Sequence, residues 1–205
     1  MKTALTPRKS PRQARSQATV DAILDATARV LVDRGYAAAN TNLVAELAGV
    51  SVGSLYQYFP NKDSLVRALH DRHARRMNHV IDLAFAKCES QTLAQAFAGV
   101  IEALVDAHRV EAGLHRVLET QLAGLGDLDG RAEAEAAISA RVLELLAQYR
   151  HEIHVPDLKM ATFVLEHSLH ALVHALVDER PDGVSVEQAT QEVIRLGLAY
   201  LTAPR

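Results

Sequence analysis

The stretch NTNLVAELAGVSVGSLYQYFPNK, residues 40–62, decides how this chain folds. Asn40 or Thr41 offers a side-chain acceptor for the open amides of a helix start, and Leu43, Val44, Leu47 and Ala48 follow at helical spacing. Gly49 breaks that helix, and Ser51 caps a second one that carries Leu55 and Tyr56 towards Phe59 before Pro60 ends it. Two short helices joined at Ala48-Gly49-Val50-Ser51 are what a helix-turn-helix needs. The glycine permits the sharp turn, and Val50 plugs the angle between the helices. An ordinary helical hairpin satisfies the same turn, which by itself does not separate the two.

Outward from this stretch the pattern stays helical. Upstream, from about Gln17, Val20, Ile23, Leu24, Ala28, Leu31 and Val32 fall on one helix that Gly35 stops. Downstream, Asn61 caps a helix bearing Leu65, Val66 and Leu69. Further amphipathic segments are expected at about 61–88, 92–108, 112–123, 131–151, 157–178 and 186–202. The breaks hold Gly124, Gly126 and Gly130, then Pro156, then Pro181 with Gly183. No alternating strand pattern intervenes. The expected fold is all-α, with about nine helices: a basic arm over 1–16, a three-helix domain holding the candidate helix-turn-helix over 17–62, and a larger helical domain over 63–205.

Charge divides along the same line. Residues 1–80 carry twelve Lys and Arg against six Asp and Glu, whereas residues 81–205 carry ten against nineteen, so +6 and −9 make up the net −3. A cationic segment displaces counterions from a nucleic-acid backbone, and an anionic one is repelled by it. Any nucleic acid therefore docks on the first 80 residues. Lys2, Arg8, Lys9, Arg12 and Arg15, with Pro7 and Pro11, read as a flexible basic arm or as a solvated tail without a role. The lone Cys88 forms no intrachain disulfide, and no leader or long uncharged span is evident, so the cytoplasm is the expected compartment. With no HExxH, nucleophile elbow or glycine-rich phosphate loop, neither an enzyme nor a cofactor is expected.

Residues 17–66 resemble the DNA-binding domain of the TetR family of transcriptional regulators. The resemblance rests on Gly35-Tyr36, Asn40-Thr41-Asn42, Val44-Ala45, Ala48-Gly49-Val50-Ser51, Gly53-Ser54-Leu55-Tyr56-Gln57-Tyr58-Phe59, Lys62 and Leu65. Many members have Thr-Thr where this chain has Asn40-Thr41. The resemblance implies that the helix from about Val52 to Tyr58 enters the major groove of a double-stranded operator. Tyr56 and Gln57 are long enough to reach base edges, Gln57 can pair bidentately with adenine, and Gly53 lets the backbone approach the duplex. Asn42 is a candidate second base reader. Thr41, Ser54, Tyr58 and Lys62 match positions that hold phosphate, and Asn40, Ser51 and Val52 share that surface.

The helix at 157–178 is apolar around nearly its whole circumference, through Phe163, Val164, Leu165, Leu169, Leu172, Val173, Leu176 and Val177. Such a helix is buried on all sides, either by the chain itself or by a second copy. The resemblance implies a homodimer built on the last two helices, here Leu165, Leu169, Leu172, Val173, Leu176, Ile194, Leu198 and Leu201, with Gly197 allowing close approach. It also implies a small-molecule effector in the C-terminal domain, with Leu118, Gln121, Phe163, His167 and His170 as candidate lining. Binding there would shift the helix that starts near Asn61 and release a palindromic operator, repression being the family's usual mode. His167, His170 and His174 share one face and could line the pocket, bridge the dimer or hold a metal. No cysteine or carboxylate cluster completes a ligand set, so no metal site is assigned.

Overall fold

A computed structural model of the chain describes residues 14–88, 91–122 and 131–204. Lys2, Arg8, Lys9 and Arg12 of the expected arm lie outside them. Among the described residues there are nine helices and no strand: α1 (Ala14–Ala38), α2 (Thr41–Leu47), α3 (Val52–Tyr58), α4 (Lys62–Ala86), α5 (Leu93–Val110), α6 (Ala112–Leu122), α7 (Arg131–Gln148), α8 (Leu158–Asp178) and α9 (Val186–Thr202). Gly35 interrupts α1 with φ 70° and ψ 170°, which places the helix stop where the sequence put it.

The described residues form two compact units, one within Met1–Arg76 and Gly113–Leu128, the other within Met77–Ala112 and Asp129–Arg205. The first unit is held by Ile23, Leu31, Val44, Ala45, Leu55, Phe59, Leu65 and Leu69, all essentially without solvent contact. Because Leu65, Val66 and Leu69 belong to this core, the expected boundary at residue 62 falls inside the unit, and α4 continues it to Arg76. The unit also takes in α6 through Leu114 and Leu118, whereas the expected division places α6 in the larger domain. Arg72 of α4 adds an ion pair with Asp25 of α1 at 2.8 Å.

The second unit packs α8 against α7, α9 and α5. Its core runs through Phe97, Ile101, Val105, Leu146, Tyr149, Leu165, Val173, Ile194 and Leu201. Local chemistry fixes the helix starts. Thr92 with Gln95 and Ser185 with Gln188 each form a reciprocal capping box, and Asp157 accepts from the amides of Lys159 and Met160. The amide of His154 donates to the Leu201 carbonyl at 2.8 Å and so ties the loop before α8 to the end of α9. Gly197 sits against the Phe97 ring: a Cβ there would lie 2.2 Å from Cζ, so only glycine lets α9 and α5 meet at this distance. Among the described residues α8 alone has the length and apolar composition to cross a membrane. It packs against α5, α7 and α9 within the second unit, with 28% of that apolar stretch buried.

Candidate nucleic-acid interface

The turn between α2 and α3 is built from backbone outward. Gly49 takes φ 68°, a left-handed conformation that side chains with a Cβ rarely adopt. In that conformation the Val50 amide donates to the Ala45 carbonyl at 3.0 Å and the Gly49 amide to the Glu46 carbonyl at 3.1 Å. This paired closure satisfies two carbonyls that the end of α2 would otherwise leave open. Asn40 caps α2 by accepting from the Leu43 amide at 2.9 Å, and Ser51 caps α3 by accepting from the Ser54 amide at 3.0 Å. The alternative cap, Thr41, is the first residue of α2.

Leu55 and Phe59 anchor α3 to the core, which fixes the face it turns outward. That face carries Val52, Gly53, Tyr56 and Gln57, all exposed, with Tyr56 at 41%. Asn42 and Ser51 are exposed beside it, while Thr41, Ser54, Tyr58 and Lys62 are half-buried. A Cβ on Gly53 would meet nothing nearer than Ser51 Oγ at 3.9 Å. Nothing inside the protein therefore demands glycine at 53.

The polar tips on this surface are held by one another. Tyr56 and Thr41 share a hydroxyl–hydroxyl hydrogen bond of 2.9 Å, which ties the middle of α3 to the start of α2. The Tyr58 hydroxyl meets Ser16 Oγ at 2.8 Å, and Ser51 Oγ meets Ser54 Oγ at 2.8 Å. Lys62 donates to the Tyr36 carbonyl at 2.8 Å with its ammonium 4.0 Å from the centre of the Tyr36 ring, a cation–π contact. The Tyr36 hydroxyl donates in turn to Asp63. Burial, the hydrogen bond to Asp63 and that carboxylate's charge push the Tyr36 phenol up to about 12. Ser16, Tyr36 and Asp63 are the partners that residue-by-residue reading did not select. Tyr36 stands in the quoted motif, but its role depends on a fold that brings it to residues 62 and 63.

Two family models match this chain. "Bacterial regulatory proteins, tetR family" covers residues 23–69, and "Tetracyclin repressor-like, C-terminal domain" covers residues 92–201. The chain belongs to the TetR family of transcriptional regulators. Among curated relatives, the regulator YvkB of Bacillus subtilis is 38% identical over 60 residues, 29% of this chain and 32% of that protein. TtgR of Pseudomonas putida is 34% identical over 113 residues, 51% of this chain and 52% of that protein. The chain thus spans less than two thirds of either relative's length. A solved structure, the fatty acid degradation regulator FadR from Bacillus halodurans, superposes with a TM-score of 0.71 at 20% identity, covering 92% of this chain and 97% of that one. It shares the fold.

In this TetR-family chain the residues expected to serve an effector are placed as follows. Leu118 is 3% exposed in the core of the first unit, and the side chain of Gln121 lies outside those described. Phe163, His167 and His170 stand on the exposed side of α8, where the rings of Phe163 and His167 lie 4.2 Å apart. An open hollow that sequence reading did not select is lined by Cys88, Gln95, Gln148, Tyr149 and Glu152. Cys88 is a free, buried cysteine, and burial raises its thiol above the ordinary range.

The expected dimer residues divide. Leu165, Val173, Leu176, Ile194 and Leu201 are buried in the chain's own core, which leaves them no surface for a partner, while Leu169, Leu172 and Leu198 are half-buried. The large apolar side chains that α8 and α9 expose are Met160, Phe163 and Leu196, each more than half accessible. A helix apolar all round gives no sequence signal for which side is taken internally.

Proposed function

We propose that this TetR-family regulator is a repressor that binds a palindromic operator as a homodimer and is released by a small-molecule effector taken up by its C-terminal helices. One observation carries the DNA reading: α3 is anchored by Leu55 and Phe59 and presents Gln57, Tyr56 and Gly53 outward on a unit with no internal need for glycine at 53. Gln57 and Asn42 read base edges. Asn40, Thr41, Ser51, Val52, Ser54, Tyr58 and Lys62 meet the sugar-phosphate backbone and set register. One short helix buries little DNA, so a second copy is needed for specific affinity. Met160, Phe163 and Leu196 supply apolar surface for it, with Leu169, Leu172 and Leu198 at the margin. A protein acting on chromosomal DNA in this way works in the cytoplasm.

The test is binding to a panel of variants of the intergenic DNA beside its own gene, at fixed salt. Gln57→Ala changes base preference, and Lys62→Ala weakens every sequence alike while lowering the salt slope by about one. Unchanged preference and unchanged slope in both variants would remove the assignment.

A further inference from the structure

We propose that the second unit carries a divalent transition-metal site of the zinc class, formed by His108 of α5 with His174 and His170 of α8. This inference is independent of the effector and operator reading above. Residues 170 and 174 are one turn apart, so their side chains rise from the same strip of α8. The fold adds the third ring: His108 meets His174 edge to face with centroids 4.9 Å apart, and His174 meets His170 at 4.3 Å. Two imidazoles sharing one tetrahedral ion, each nitrogen about 2.0–2.1 Å from it, have centroids about 5 Å apart. Nitrogens of His108 and His174 already lie within 4.8 Å of each other. Closing that pair onto an ion needs small ring rotations, and the exposed His170 has room to follow.

The tautomer also fits. His108 Nδ1 lies 2.7 Å from the Leu104 carbonyl, which can only accept, so the proton sits on Nδ1 and the lone pair on Nε2. A ligand histidine held through its other nitrogen by a backbone carbonyl is the usual outer-shell arrangement of metal sites. Carboxylates flank the pair one turn away on each side, Glu166 before His170 and Asp178 after His174. Glu166 accepts from Ser139 through Oε2 at 2.8 Å, whereas its Oε1 is buried without a hydrogen-bond partner. Imidazole nitrogens with a carboxylate close by select zinc, nickel, cobalt or copper rather than magnesium or calcium.

The experiment is titration of untagged, chelator-treated protein with Co2+, read by its visible absorption bands, and with Zn2+ by calorimetry at pH 7.5. One ion per chain at micromolar affinity or tighter is expected, with a higher Tm in the presence of Zn2+. His174→Ala and His108→Gln each weaken binding at least tenfold, and His170→Ala weakens it too. His167→Ala, on the same helix with its Nδ1 held by the Phe163 carbonyl, leaves affinity unchanged. Circular dichroism of each variant without metal separates lost ligation from lost fold. Absence of binding below millimolar concentration, or equal affinity in His174→Ala and His167→Ala, overturns the site.

Discussion

Replacing Gly197 by alanine tests the packing of the second unit at its tightest point. The added methyl would lie 2.2 Å from Phe97 Cζ and 2.7 Å from Cε1. Carbon atoms rest at about 3.5–4.0 Å, so ring or helix must give way by more than about 1 Å. Phe97 is only 7% exposed and surrounded by core side chains, so the ring has little space to swing into. Overpacking of this kind costs about 1–3 kcal/mol, and the closed surroundings place Gly197→Ala in the upper half, about 2–3 kcal/mol. For a chain of this size each kcal/mol moves Tm by about 2–4 °C, so scanning calorimetry should show a fall of about 4–12 °C. Phe97→Leu alone opens a small cavity and costs about 1–2 kcal/mol, but it vacates the space the new methyl needs. The double variant should therefore lose at least about 1 kcal/mol less than the two single losses together. A Gly197→Ala protein melting within 1 °C of the parent, or strict additivity in the cycle, would refute the close approach of α9 to α5.

Other expectations follow from the first unit. Leu55→Ala empties a fully buried site and should cost about 2–5 kcal/mol in urea unfolding, with DNA binding lost through the fold rather than through contact. Ser51→Ala removes the cap of α3 and should cost about 1 kcal/mol, which Ser51→Asp largely restores. Tyr36 has a folded-state pKa of about 12 against an ordinary value of 10, so its contribution is complete below pH 10 and is lost as pH rises towards 12. Urea melts at pH 9 and pH 11 should show a smaller stability loss in Tyr36→Phe than in the parent; equal losses would detach Tyr36 from that window.

Features written in local chemistry are legible in the sequence: Gly35 and Gly49 as helix stops, Ser51 as a cap, Leu55 at helical spacing on the helix that Ser51 starts. Each depends on neighbours within a few residues, where sequence spacing and spatial distance are nearly the same thing. The domain division was less legible, because only tertiary packing shows that Leu114 and Leu118 complete the core begun at Ile23. The faces of α8 were illegible for a different reason. When nearly every position is apolar, periodicity points nowhere, and Leu165 and Phe163 look alike although one is buried and the other 56% exposed. The histidines of α8 lacked a partner in sequence because His108 lies some 60 residues away, on a helix that only the fold brings alongside.

If the first unit docks DNA as proposed, its hydroxyl pairs and the Lys62–Tyr36 contact bear on the thermodynamics of recognition. A free surface whose donors wave in solvent must freeze each rotamer on binding, at about 0.5–1.5 kcal/mol per long side chain. Here Tyr56, Tyr58 and Lys62 are already immobilised, so that entropy has been surrendered during folding and is not charged again at the operator. The cost moves into enthalpy, since a phosphate contact by Thr41, Ser51, Ser54, Tyr58 or Lys62 would have to out-compete an internal hydrogen bond of ordinary length. Loose, ill-fitting DNA cannot win that exchange at several positions at once, whereas a duplex of matching shape can. The internal bonds thus work as a threshold that favours fit over mere charge.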